Sequence, residues 1–412
     1  MKFIPPNTKY PLKNSVTDIM KLPVSILLTL FITVFYSCEK KENLVDGPPS
    51  TSGIVFEKSI GGQLDDIAYE SIIHNDELYI LGSTKSYGEP NGDHYLIKMD
   101  LEGNVLWEKT YGGAAEDLGA NLIATNDGNF MLVGATFSQG NGMQDIHLLK
   151  INPSGDIIWE KTYGGAFNDS PISIIETSAN EFCIAGTTES FGAGSRDIYL
   201  VWVDQSGNVI REKSFGGTDI DGSTELMEIE NNEIMLYGYT TNFGATSRDL
   251  YLMRLSATGD SLWAQRYGGN DYEESQDFVR TPSGDYLIHG HSASTDPIHN
   301  MFTVKVAEDG TVIWEKNYGG AMHDGGQAIL INEAGNYVLI GRSMSFGNGD
   351  RNILMVTTNS EGVQLSQNII GGSRDDWGQD ILDYKGHYYI IGHTNSFNDN
   401  MNDVYVVKYK WQ

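Results

Sequence analysis

The feature that most restricts the fold of this 412-residue chain is a spacing. Gly-Gly pairs stand at 61–62, 112–113, 164–165, 216–217, 268–269, 319–320 and 371–372, which gives intervals of 51, 52, 52, 52, 51 and 52 residues. A period of this size, with about four short apolar segments per unit, marks a propeller blade, a small sheet that buries its faces only against neighbouring blades. One unit shows the parts in order. Residues 119–125 (GANLIAT) read as strand a, 126–129 (NDGN) as a hairpin turn and 130–136 (FMLVGAT) as strand b. A longer loop, 137–144, precedes strand c at 145–150 (DIHLLK), and the turn 152–155 (NPSG) leads to strand d at 157–163 and the next Gly-Gly pair.

The array is out of phase with the chain ends. It opens on a lone d strand, 54–60, and ends on an a–b–c set whose last strand begins at Asp403. One d strand, six full sets and a final a–b–c make seven blades of four antiparallel strands. The expected fold is an all-β, seven-bladed β-propeller over residues 54–412, closed by pairing of its first and last strands, which removes free edges. Composition agrees: 47 Gly, 22 Tyr and 15 Phe against 11 Pro describe short strands and tight turns. A formal charge of −28, uninterrupted by any basic stripe, excludes nucleic acid as an expected partner. Cations, neutral glycans and proteins stay open.

The N-terminus reads as a targeting segment, residues 1–37. Met20-Lys21 precedes an apolar run from Val24 to Tyr36, then Ser37-Cys38 and the polar stretch that follows. That run is too short for an ordinary membrane span of about 20 residues. Met20 is the expected start of translation. Residues 38–53 form a polar tether containing Pro and Gly. The segment resembles a bacterial lipoprotein signal, although Phe35-Tyr36-Ser37 departs from the usual Leu-Ala-Gly type of box. That resemblance implies lipidation of Cys38, attachment to the membrane through the acyl chains and an outer-membrane location, periplasmic or surface-exposed. The acidic residues after Cys38 resemble a surface-export signal of Bacteroidota lipoproteins.

The repeat itself, with Tyr-Gly-Gly, an acidic residue, Asp-Gly-Asn-Phe, Gly-x-Thr and Asp-x-x-Gly before Trp, resembles the bacterial SBBP-type β-propeller repeat over 54–412. Residues 111–162 and 163–214 carry the closest match. Blade five departs, with His289-Gly-His291 and Thr295-Asp-Pro297 in place of the usual strand and loop. This resemblance implies an envelope propeller and supplies no shared catalytic residues.

Candidate sites follow from recurrence and from its breaks. Trp107, Trp159, Trp263 and Trp314, with Phe56, share one position five residues before the Gly-Gly pair and read as inter-blade packing. Cys183 lies in an apolar strand and reads as core. The pair His289 and His291, aligned with His393, has the spacing of one strand face but lacks the further ligands a zinc site needs. Arg196-Asp197, Arg248-Asp249 and Asp350-Arg351 precede c strands and read either as an anion clamp or as salt bridges at loop ends. The fourth residue after each Gly-Gly pair is acidic: Asp66, Asp117, Asp169, Asp221, Glu273, Asp324 and Asp376. These form either a carboxylate ring at the axial mouth, able to take calcium, or a set of turn residues accepting backbone N–H bonds. No other cofactor is expected. The functional expectation is a lipid-anchored module that binds protein or glycan without catalysis. The alternative is an envelope glycosidase or polysaccharide lyase, with its site on the face carrying the b–c and d–a loops.

Overall fold

The computed structural model describes residues 53–294, 298–348, 350–397 and 401–411. The lipidation cysteine, the signal segment, nearly all of the tether and Thr295-Asp-Pro297 of blade five lie outside them. The described residues form seven four-stranded antiparallel sheets, each ordered a–b–c–d. Blade 1 runs through strands Asp66–His74, Glu77–Thr84, Asp93–Asp100 and Val105–Tyr111. The other a strands, from blade 2 to blade 7, are Asp117–Ala124, Asp169–Glu176, Asp221–Glu228, Glu273–Arg280, Asp324–Ile331 and Asp376–Tyr384. Blade 7 is completed by the first strand of the propeller, Ile54–Ile60, paired antiparallel with the last, Asp403–Lys410.

Strand a is innermost, because each a strand packs against the a strands of both neighbouring blades. Strands b and c are buried almost throughout, and strand d is the exposed outer edge. Every a strand carries a bulge against strand b at the same place, as between Ala68 and Glu70 or between Gly119 and Asn121. A bulge re-aims the side chain that follows it, so each blade turns one residue toward the axis.

The blades are keyed together by aromatic side chains set against glycine. Trp107, Trp159, Trp263 and Trp314 stand over Gly155, Gly207, Gly310 and Gly362, the c–d turn glycines of the next blade, all with φ between +76° and +84° or at +73°. Side chains are strained at such φ, and a Cβ there would also press on the ring. Four tyrosines finish the joint: Tyr111, Tyr163, Tyr267 and Tyr318 donate to the carbonyls of those same glycines at 2.7–2.8 Å. Phe56 does the same work for blade 7 over Gly103. Blade 3 has Arg211 at the tryptophan position. There Trp202, from the adjacent c strand, fills the space over Gly259, and the Arg211 guanidinium lies on its ring at 4.5 Å. Blade 6 has Ser366 at that position and faces blade 7, whose c and d strands are not joined by a turn because they are the last and first strands of the propeller.

Candidate functional site at the axial mouth

The b–c loops and d–a turns emerge on one face and are stitched together there. The first N–H of each a strand donates to the residue just before strand c of the preceding blade, as Asp117 to Gly92, Glu273 to Arg248 and Asp66 to Asn402. The seven repeated acids begin these strands and are 0–1% exposed. Each carboxylate turns back into its own d–a turn and accepts the N–H of the second glycine, at 2.6–2.8 Å for the aspartates and 3.2 Å for Glu273. Hydroxyls or an amide at the start of the b–c loop add to this, as Ser138 to Asp117 at 2.8 Å and Asn242 to Asp221 at 2.7 Å. Thus Asp66, Asp117, Asp169, Asp221, Glu273, Asp324 and Asp376 hold turns, and none of them lines the axial cavity.

A different ring of carboxylates does face the axis, one bulge further along strand a. Glu70, Glu225, Asp277 and Asp380 line an axial cavity of about 730 Å³. They also staple neighbouring a strands. Asn121 donates to Glu70 at 2.9 Å, Ser173 to Glu225 at 2.7 Å, the Ile329 N–H to Asp277 at 2.8 Å and the Ser71 N–H to Asp380 at 3.0 Å. Burial pushes their pKa values up, with repulsion from neighbouring carboxylates adding to it at Glu70, Glu225 and Asp277, to about 7 for Glu225 and about 6 for Asp380.

At the loop-face end of the innermost strands the repeat breaks, and only on one side. Four positions define this rim: the residue before each repeated acid, the residue after it, the residue after the strand b glycine, and the residue before strand c. In blades 1 and 2 the second and third of these are Ile67, Leu118, Ser83 and Ala135. In blades 4 to 7 the rim instead carries Tyr239, Arg248, Tyr272, Glu274, His291, His299, His323, Arg342, Arg351, Trp377 and His393. Gly222 and Gly325 make room for two of them, because a Cβ at Gly222 would overlap the Tyr239 ring and one at Gly325 would press on the Arg342 Nε at 3.3 Å.

These side chains form a continuous strip. The Arg248 guanidinium lies 4.1 Å from the Tyr239 ring and 5.1 Å from the Tyr272 ring, and donates to the Tyr272 hydroxyl at 2.9 Å. That hydroxyl donates to Glu274 at 2.8 Å, which also meets His291 Nε2 at 3.1 Å. His291, His299 and His323 follow with ring centres 5.5 and 5.3 Å apart. Further round, Arg342 lies over Trp377 at 4.0 Å, Arg351 approaches the same ring at 5.3 Å, and His393 stacks on it at 5.2 Å. The contact with His291, helped by Tyr272 and Arg248, holds the Glu274 carboxyl down at about 2, whereas burial and the Glu274 contact push the Tyr272 phenol up to about 12. Burial lowers His299, and lowers His393 to about 4.

The residues singled out in the sequence divide accordingly. Arg196, Arg248 and Arg351 reach carboxylates, Glu189 at 2.9 Å, Glu274 at 3.7 Å and Asp375 at 3.4 Å, so each makes a salt bridge, while Arg248 and Arg351 also line the rim. His291 and His393 stand at the rim. His289 is buried between strands, its Nδ1 2.9 Å from the Thr303 hydroxyl. Cys183 is fully buried, and burial pushes its thiol up. A wider ring of exposed aromatic side chains, Tyr87, Phe137, Phe191, Phe243 and Phe397, surrounds the mouth on the b–c loops, and four of these rings pack on c-strand tyrosines. Recurrence drew attention to the acids; the signal for the rim was a position-by-position comparison of blades 1 and 2 with blades 4 to 7.

No protein-family model matches the sequence, and no curated protein matches it. Among solved structures, the chain is similar to the polysaccharide lyase Uly1, with a TM-score of 0.53 at 9% identity, covering 87% of this chain and all of that one. A structure described as a putative gluconolactonase is similar at a TM-score of 0.40 and 9% identity, over 71% of this chain and 88% of that one. The first of these likenesses shows the fold; the second carries no argument.

Proposed function

We propose that the protein is an exported propeller, anchored through lipid on Cys38, that binds an anionic saccharide at the axial mouth between blades 4 and 7. One observation carries the reading. In a chain of formal charge −28, Arg342 sits half-buried on Trp377 beside Arg351, with the Glu274 carboxylate acting on it only at longer range and no salt bridge to it among the described residues. An arginine stacked on an aromatic ring keeps its forked donors free, and such a fork matches a carboxylate or sulfate in two bonds. The surrounding tyrosines, histidines and exposed phenylalanines offer apolar faces against which sugar rings pack.

Titration with a panel of polyuronates, sulfated glycans and neutral glycans tests this reading. Arg342→Ala should weaken binding of the anionic members about tenfold or more, the effect of losing roughly 1.4 kcal/mol or more of a charged contact. A charge change in a c–d hairpin on the opposite face should leave binding unaltered. Equal binding of neutral and anionic glycans, or an unchanged affinity in Arg342→Ala, would overturn it. For the anchor, Cys38→Ser should yield an unprocessed precursor without lipid label.

A second reading, eliminative cleavage of the same ligand, is favoured by the contact of Tyr272 with Glu274 and His291 beside His299. Elimination from a uronate moves the C5 proton to a base, breaks the C4–O bond, leaves a C4–C5 double bond and protonates the departing oxygen. Arg342 would offset the sugar carboxylate, a neutral His299 would take the proton, and the Tyr272 phenol, held protonated, would give one. Hydrolysis by a carboxylate pair needs a protonated acid at the site, and Glu274 is held ionised. Turnover would appear as the ultraviolet absorbance of an unsaturated uronate, lost in Tyr272→Phe.

A further inference from the structure

Away from the mouth, the interface between blades 1 and 2 departs from the repeat at two buried positions. The second residue of each c strand is otherwise apolar, as in Ile146, Ile198 and Leu250, but blade 1 has His94. The third is usually aromatic, as in Tyr95, Tyr199 and Tyr251, but blade 2 has His147. These histidines are 1% and 0% exposed and face one another across the interface, with His94 Nε2 3.0 Å from His147 Nδ1.

The other nitrogen of each ring has its own partner. His147 Nε2 lies 3.2 Å from Glu160, and His94 is hydrogen-bonded to the Leu118 carbonyl. With both outer nitrogens donating, the inner two present lone pairs to each other. A cation between them relieves that opposition, and a carboxylate or carbonyl on the outer N–H is the usual arrangement behind a metal-bound imidazole. Beside them lies Asp117, 0% exposed. Its Oδ2 accepts from the Gly113 N–H and the Ser138 hydroxyl, whereas its Oδ1 has no hydrogen-bond partner. In blades 1, 4, 5, 6 and 7 the equivalent oxygen takes a hydroxyl from strand b, from Thr84, Thr240, Ser292, Ser343 or Thr394. In blades 2 and 3 it is orphaned, on Asp117 and on Asp169, but among the described residues only in blade 2 do two imidazoles stand beside it, and one ligand atom from each of these three residues lies within 4.8 Å of the others.

We propose that His94, His147 and Asp117 bind a divalent first-row metal, zinc by its donor set, and that the ion fastens blade 1 to blade 2. Two nitrogens and one carboxylate oxygen are a borderline set that suits zinc over calcium or magnesium. Tetrahedral zinc with bonds of about 2.0–2.1 Å holds its nitrogens roughly 3.3 Å apart, close to the spacing present. A solvent molecule would complete four-coordination. Because the site joins two blades and is closed to solvent, its contribution is structural, and metal bound only by the folded state raises the melting temperature.

The test uses the purified protein, dialysed against a chelator and then against zinc. Elemental analysis should return one tightly held zinc per chain, with a melting temperature several degrees above that of the chelated protein. Cobalt(II) in its place should give the visible absorption of a tetrahedral site. The double variant His94→Ile, His147→Tyr restores the residues of the other blades, so it should fold, bind no zinc at this site and melt at a temperature indifferent to the chelator. Asp117→Asn, which keeps the acceptor for Gly113, should weaken zinc at least tenfold. A wild-type protein without stoichiometric zinc, or a double variant taking up as much as the wild type, would overturn the proposal.

Discussion

The axial carboxylates are the residues where position and chemistry are most at odds. Glu225 and Asp380 sit on the innermost strands, where the bulge turns them into a confined cavity shared with Glu70 and Asp277. Their raised pKa values mean that the folded state holds protons the unfolded chain has already lost. Stability linked to these groups is therefore fully present at pH values below the ordinary carboxylate range and is lost as pH rises toward about 6 for Asp380 and about 7 for Glu225. Asp403, pushed up to about 6 by burial and by Asp66, acts in the same direction. Glu274, held down at about 2, contributes stability lost only at lower pH, outside this window. Buried His289 and His393, held down at about 3 and about 4, act oppositely and lose stability as pH falls through the ordinary imidazole range, so the carboxylates are read as a difference: relative to the wild type, Glu225→Gln with Asp380→Asn should raise the melting temperature more at pH 8 than at pH 5.5. A double variant shifted equally at the two pH values would refute the assignment.

At the scale of strands and turns, what was legible in the sequence was what every blade must repeat. A turn that needs a carboxylate, a glycine at positive φ and an aromatic side chain to cover that glycine recurs because each blade meets the same backbone geometry. The a–b–c–d order and the packing role of Trp107, Trp159, Trp263 and Trp314 could therefore be read from spacing. The rim was not legible in that way: Tyr239, Tyr272, Arg342 and Trp377 converge from four different blades and occupy positions that a search for recurrence passes over. The exchange in blade 3 was hidden for another reason. Trp202 replaces its counterpart from the neighbouring strand, so it stands nine residues away in sequence but over the same kind of turn glycine in space. Trp202 is fully buried and carries the Arg211 stack. Trp202→Ala should cost about 3–5 kcal/mol, the range for deleting a buried large aromatic, as read from the urea midpoint. Arg211→Ala should cost much less, because Arg211 is only partly buried.

For the molecule as a whole, the ring is held shut in two different ways. Six blades are continuous in sequence, and their joints consist of packing between blades. The seventh is built from both ends of the propeller, so the hydrogen-bonded ladder between Ile54–Ile60 and Asp403–Lys410 turns blade closure into chain closure. Separating blade 7 from blade 1 therefore requires breaking a strand ladder as well as a packed face, and no edge opens until it does. Removing residues 53–60 should leave Asp403–Lys410 as an unpaired edge, strip Phe56 from Gly103, and give a protein that aggregates or melts far below the wild type. A circular permutant separates the two contributions. If the chain begins at Asp66 and the 53–60 strand follows Lys410 through a short turn, all strands and all packing are kept but the ladder no longer joins the two ends. That permutant should fold to the same circular-dichroism spectrum yet melt below the wild type and unfold faster, since the blade 7 to blade 1 joint would then open without breaking a strand pair. A permutant as stable and as slow to unfold as the wild type would assign closure to inter-blade packing alone.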